Sequence, residues 1–105
     1  MYIYKMVKYT FYSLCCKSKD IPDFYIGSTS CMYMRKQQHR FHSTNPNSLK
    51  KHQLKYQTII NNGGYDNWEY IEIGSLDGDR RDAHHHEKHL IESFKPTLNI
   101  RNPIK

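Results

Sequence analysis

The segment from Val7 to Cys16 sets the frame for everything else in this chain. Val7, Tyr9, Phe11 and Ser13 alternate with Lys8, Thr10, Tyr12 and Leu14, a two-residue period that sends successive side chains to opposite faces of an extended strand. Most of these residues are β-branched or aromatic types, which pack well on a pleated surface. A strand this long carries a row of backbone donors and acceptors that need partners, so the rest of the chain must supply further strands. Residues 17–23, with Ser18, Asp20 and Pro22, are turn material. Phe24, Tyr25, Ile26 and Gly27 follow as a short second strand, and the two read as an antiparallel hairpin.

Ser30 is placed to cap a helix running through Met32, Arg35, His39 and about Phe41. Residues 43–47 form a loop, and a second helix over 48–61 stops at Gly63-Gly64. Trp68, Tyr70 and Glu72 alternate with Glu69, Ile71 and Ile73, which predicts a third strand over 68–73 that completes the sheet, with a turn at 76–79. Asp79 and Asp82, three residues apart, can box the start of a last helix that ends before Pro96. The order strand, strand, helix, helix, strand, helix lacks the alternation of a parallel sheet. It predicts an α+β fold: a small three-stranded antiparallel sheet flanked by helices, in one domain spanning residues 1–105.

The chain has 105 residues and a net charge of +6, with a pI near 9.3. One core is all it can build, and the positive balance favours a polyanionic partner over a neutral small molecule. Cys15, Cys16 and Cys31 are an odd, partly adjacent set, a poor disulfide framework that suits a reducing compartment. Lys5 and Lys8 interrupt what would otherwise be the apolar region of a signal peptide. No apolar run approaches the roughly 20 residues of a membrane span. The expectation is a soluble, intracellular protein.

On the last helix, Ala83, Glu87, Leu90, Ile91 and Phe94 recur at the spacing of one face. Glu87 is out of place there, since a carboxylate on an apolar stripe costs several kcal/mol unless it is paired, protonated or bound to a cation. A salt bridge to an arginine, or a rotation that leaves Glu87 at the edge of the stripe, would remove the cost without any function. Arg35 and His39, four residues apart, project from one face of the first helix. Tyr12 and Tyr25 lie on strands expected to pair, and Gly27 lets another group approach the sheet closely.

These residues carry a resemblance. Thr10-Phe11-Tyr12, Tyr25-Ile26-Gly27-Ser28-Thr29, then Arg35 and His39, then Glu87-Lys88-His89-Leu90-Ile91 and Pro96-Thr97-Leu98-Asn99 resemble the successive motifs of the GIY-YIG endonucleases, in order and spacing. The likeness runs from about Tyr9 to Asn99. The stretch from Lys55-Tyr56-Gln57 through Gly63-Gly64-Tyr65-Asp66-Asn67-Trp68-Glu69 is similar to stand-alone members found in large DNA viruses and phages. One departure is Thr10, which stands where the first motif of the family has a glycine.

The resemblance implies an endonuclease that hydrolyses phosphodiester bonds in DNA with one divalent cation, Mg²⁺ or Mn²⁺, and no covalent intermediate. It implies that Glu87 holds the cation, and Mg²⁺ suits a hard oxygen ligand and few protein carboxylates. Tyr12 takes the proton of the attacking water or orients it, with its phenol pKa lowered by the cation. Tyr25 holds the scissile phosphate or shares the base role. Arg35 neutralises charge on the phosphoryl oxygens through its planar fork, and His39 hydrogen-bonds the phosphate or a tyrosine. Asn99 matches an asparagine in a supporting position.

Lys36, Arg40, Lys50, Lys51, Lys55, Arg80 and Arg81 flank these motifs and are the candidate contacts to a phosphate backbone. They spell no sequence code. Homing and restriction relatives add a DNA-reading domain for which this chain has no room, so specificity would come from a homodimer or a separate partner, or be slight, with a preference for branched, nicked or flexible DNA. Two other readings remain open at this stage. One is a catalytically idle nucleic-acid-binding module. The other is a zinc-stabilised interaction domain built on His84, His85, His86 and His89, in which His85 and His89 have ligand spacing. The run His86-Glu87-Lys88-His89 puts its second histidine one residue too early for the zinc-protease motif. A partly solvated helix face, with His86 near the site, is the simpler account.

Overall fold

The structure, a computed structural model, describes residues 6–99; Lys5 lies outside them. Its elements are β1 (Val7–Cys16), β2 (Phe24–Thr29), α1 (Met32–Thr44), α2 (Leu54–Asn61), β3 (Trp68–Gly78) and α3 (Arg80–Phe94), with single 3-10 turns at Tyr65–Asn67 and Thr97–Asn99. The fold is α+β with a three-stranded antiparallel sheet in the order β2-β1-β3. The long first strand is central, so both of its edges find ladder partners. No helix among the described residues is long and apolar enough to cross a membrane, and all three cysteines are free.

Several boundaries differ from the sequence expectation: β2 continues to Thr29, α1 runs through Ser43 and Thr44 where a loop was expected, and three further differences have visible causes. β3 continues to Gly78, because Leu76, Asp77 and Gly78 pair with Tyr9, Lys8 and Val7. The turn-like composition of 76–79 yields to the unsatisfied edge of β1. A bulge opposite Phe11 and Tyr12, whose partners are Gly74 and Glu72, lets the long strand bend there. α2 begins at Leu54 and not at residue 48. Ser48 instead bonds the His42 ring at 2.7 Å and accepts from the Lys50 amide at 3.2 Å, while Gln53 N–H donates to the Lys50 carbonyl at 2.9 Å. These local bonds hold residues 45–53 in turns. α1 is capped from Cys31 and not Ser30, with Thr29 Oγ1 accepting the Cys31 N–H at 3.1 Å.

The helices divide between the two faces. On one face Tyr12, Leu14, Cys16 and Trp68 pack with Tyr56, Ile59 and Leu98 into the main core. Ladder partners Phe11 and Ser28 turn the other way, where α3 lies chiefly on β2. Phe11 and Ile26 are fully buried, and the His86 ring meets Phe11 edge-on at 4.7 Å. The expected box at the start of α3 is present. Asp79 Oδ1 accepts from Asp82 N–H at 2.9 Å, and Asp82 Oδ2 accepts from Asp79 N–H at 3.1 Å.

Candidate active site

The site begins at the pairing of Tyr12 with Gly27. A Cβ on Gly27 would lie 2.5 Å from the Tyr12 hydroxyl and 2.9 Å from the Tyr25 ring, so only glycine lets the Tyr12 phenol cross β2. That hydroxyl meets His39 Nε2 at 2.7 Å, and His39 Nδ1 meets the Tyr56 hydroxyl at 2.9 Å. His39 is 2 % exposed, and burial, helped by nearby Lys55, Arg35 and His42, pushes its pKa down to about 3. It is therefore neutral at pH 7. A neutral imidazole has one donor and one acceptor, and each phenol can play either part, so both tautomers complete the chain Tyr12–His39–Tyr56. Burial also raises the Tyr12 pKa, with Tyr25 adding to the rise and Arg35 opposing it.

Beside this chain runs an open groove of two adjoining lobes, about 470 and 610 Å³. Tyr25, His84 and Glu87 border both. Arg35, Ser28 and Arg80 line the smaller lobe, and Lys55, Lys88 and Asn99 the larger. Glu87 is half-buried and accepts a hydrogen bond from the Ser28 hydroxyl. The Tyr25 pKa is raised by burial first and by the Glu87 carboxylate second, with Arg35 pulling the other way. A carboxylate, a phenol and a guanidinium from three elements thus converge on one cleft. Such a set offers a hard oxygen donor, a hydrogen-bond donor and a fixed positive charge within one cleft.

A family model for the GIY-YIG catalytic domain matches residues 8–101. The chain belongs to the GIY-YIG family. No curated protein and no solved structure matches it. The GIY-YIG domain has a nuclease-type fold, and the sheet and helices here agree with it. The match is to the domain as a whole and carries nothing about viral or phage origin.

In this GIY-YIG domain Thr10, the departure from the first motif, stands in a regular ladder opposite Thr29 and Ser75. Asn99 is fully engaged by backbone: its Oδ1 accepts from Ile26 N–H at 2.8 Å and its Nδ2 donates to the Ile26 carbonyl at 2.7 Å. The side chain thereby pairs the open edge of β2 and pins the strand that presents Tyr25.

The apolar stripe expected on α3 is a poor description of the helix. Of its members only Ala83 is buried; Leu90 and Ile91 are half-buried, and Phe94 is 56 % exposed. Glu87 sits at the margin of the packed face, where Arg80, His84, Glu87, Lys88 and Ile91 look into the groove. The histidines split accordingly. His84 borders the groove, while His85, His86 and His89 gather with Arg81 on the side of α3 nearer β3. His86, expected near the site, is packed on Phe11. Among the described residues no three of His, Cys, Asp and Glu are arranged to hold a metal ion.

The basic residues also separate. Arg80 and Lys55 line the groove, Arg81 does not, and Lys36 lies over the Tyr70 ring at 5.1 Å. Arg40, Lys50 and Lys51 are exposed. Two site residues escaped the sequence reading. Tyr56 had a faint signal in its helical spacing with Ile59, another core residue of α2, and His84 was hidden among its neighbours.

Proposed function

We propose that this GIY-YIG domain is a metal-dependent endonuclease that hydrolyses phosphodiester bonds in DNA. The observation that carries the reading is the convergence of Glu87, Tyr25 and Arg35 on one groove beside the Tyr12–His39–Tyr56 chain. GIY-YIG nucleases generally use a divalent metal ion, and the donor set is compatible with one. Mg²⁺ takes one or two protein carboxylates and keeps several waters; Glu87 offers a single carboxylate, with the Ser28 hydroxyl in contact, on a groove wide enough for those waters. Glu87 would hold the ion, which would supply Lewis-acid stabilisation of the phosphoryl charge.

The side chains do the remainder. Tyr25, kept protonated by its raised pKa, donates a hydrogen bond to a phosphoryl oxygen. Arg35 offsets the negative charge that grows there, and its guanidinium stays charged throughout. Tyr12 orients the attacking water through its oxygen. With the imidazole proton on Nδ1, Tyr12 O–H donates to His39 Nε2 at 2.7 Å, which leaves the lone pairs of the Tyr12 oxygen to accept from the water. In that tautomer Tyr56 accepts from Nδ1–H.

The test is nicking of supercoiled plasmid at low salt in Mg²⁺ or Mn²⁺, with EDTA and Glu87→Gln in parallel and a thermal melt of the variant. Gln at 87 keeps an acceptor for Ser28 and loses the charge. Nicking that vanishes in both controls, with the melt preserved, is expected. Full activity of Glu87→Gln would refute the metal assignment, and DNA binding without any cleavage would favour an idle binding module.

A further inference from the structure

Lys55 occupies an unusual place for a lysine on a short surface helix. Such a side chain normally carries its ammonium out to water. Here Nζ lies 4.4 Å from the centroid of the Tyr25 ring and 5.2 Å from that of Tyr56, and the residue is half-buried. Both rings belong to the site: Tyr25 borders the groove, and Tyr56 closes the hydrogen-bond chain through His39. Among the described residues the ammonium meets these two aromatic faces and no hydrogen-bond acceptor. It lines the larger lobe with Glu87, Lys88 and Asn99, whereas Arg35 lines the smaller one. Leu54 and Ile91 also line that lobe.

We propose that Lys55 is a phosphate-binding residue of the groove itself, holding the phosphodiester that neighbours the scissile one in the lobe opposite Arg35. The inference rests on the nuclease reading and adds a second anionic subsite to it. A strand lying along the groove presents successive phosphates to two cations, Arg35 in one lobe and Lys55 in the other, with Glu87 and Tyr25 between them. Leu54 and Ile91 give the attached nucleoside apolar surface to pack on. The two rings fix the ammonium by cation–π contact, so little side-chain freedom is lost when a phosphate arrives. The electrostatics agree with this placement: burial first, then Arg35 and Lys50, push the Lys55 pKa down to about 8, against the pull of Glu87. An incoming phosphate would relieve that penalty.

Binding can be read without turnover. In a Glu87→Gln background with EDTA, fluorescence anisotropy of a short labelled DNA duplex is titrated at several salt concentrations, for the parent and with Lys55→Met, Lys55→Arg or Lys19→Met added. Methionine keeps most of the apolar stem over the rings, and Lys19, exposed in the β1–β2 turn, borders neither lobe. Lys55→Met should weaken binding about tenfold and flatten the slope of log K against log salt by about 1. Lys55→Arg should retain most of the affinity, and Lys19→Met should change neither quantity. Equal affinity of the parent and Lys55→Met, or an equal loss in Lys19→Met, overturns the subsite and leaves the nuclease reading standing. A parent that binds no DNA overturns both.

Discussion

Acidification should destabilise this domain through His39, and the size of the effect follows from its burial. The imidazole is 2 % exposed and binds its proton only near pH 3, while in the unfolded chain it binds near pH 6.5. Above that value both states are neutral and His39 adds no pH dependence. Between the two pKa values the unfolded chain holds the extra proton, so stability is present above pH 6.5 and is lost as pH falls toward 3. The slope is about 1.4 kcal/mol per pH unit, which makes a loss of about 2 kcal/mol between about pH 7.5 and about pH 5. For a domain of this size that is roughly 10 °C in Tm. The assay is urea denaturation across this range for the wild type and for His39→Gln, which keeps a donor and an acceptor but does not titrate. His42, whose pKa burial also lowers, contributes to both profiles and cancels in the difference. The wild-type curve should fall about 2 kcal/mol further than that of His39→Gln. Parallel curves would refute the buried neutral imidazole and, with it, the hydrogen-bond chain through Tyr12 and Tyr56.

Gly27→Ala should cost about 1–3 kcal/mol in denaturation, because its Cβ would arrive 2.5 Å from the Tyr12 hydroxyl; it should also depress plasmid nicking by displacing that phenol. Asn99→Asp keeps the acceptor for Ile26 N–H but turns the donor facing the Ile26 carbonyl into a carboxylate oxygen. A loss of about 1–3 kcal/mol at neutral pH, partly recovered below the carboxylate pKa, is the expected result in thermal melts.

Much of the architecture is local and was legible in the residues. The alternation of Val7–Cys16, the Asp79–Asp82 box and the Gly63-Gly64 stop each act within a few residues. Gly63 and Gly64 adopt φ of 94° and 80°, a backbone that L side chains rarely take. The order and spacing of Tyr12, Tyr25, Arg35, His39, Glu87 and Asn99 already pointed to the family.

What the sequence could not hold was decided by which surfaces meet. Residues 76–78 look like a turn and are strand, because the far half of β1 needed a partner. Glu87 looked like an acid on a core stripe, but the helix settles with Ala83 inward and Glu87 at the groove margin. His84 and His86 are two residues apart, and the rotation of α3 sends one to the groove and the other onto Phe11. Tyr56 and Lys55 acquire their places only when α2 folds back against α1, bringing residues 17 and 30 positions from His39 and Tyr25 along the chain into contact with them. Periodicity can say which side chains share a face; which neighbour that face will meet depends on long-range packing, and that is a property of the whole fold.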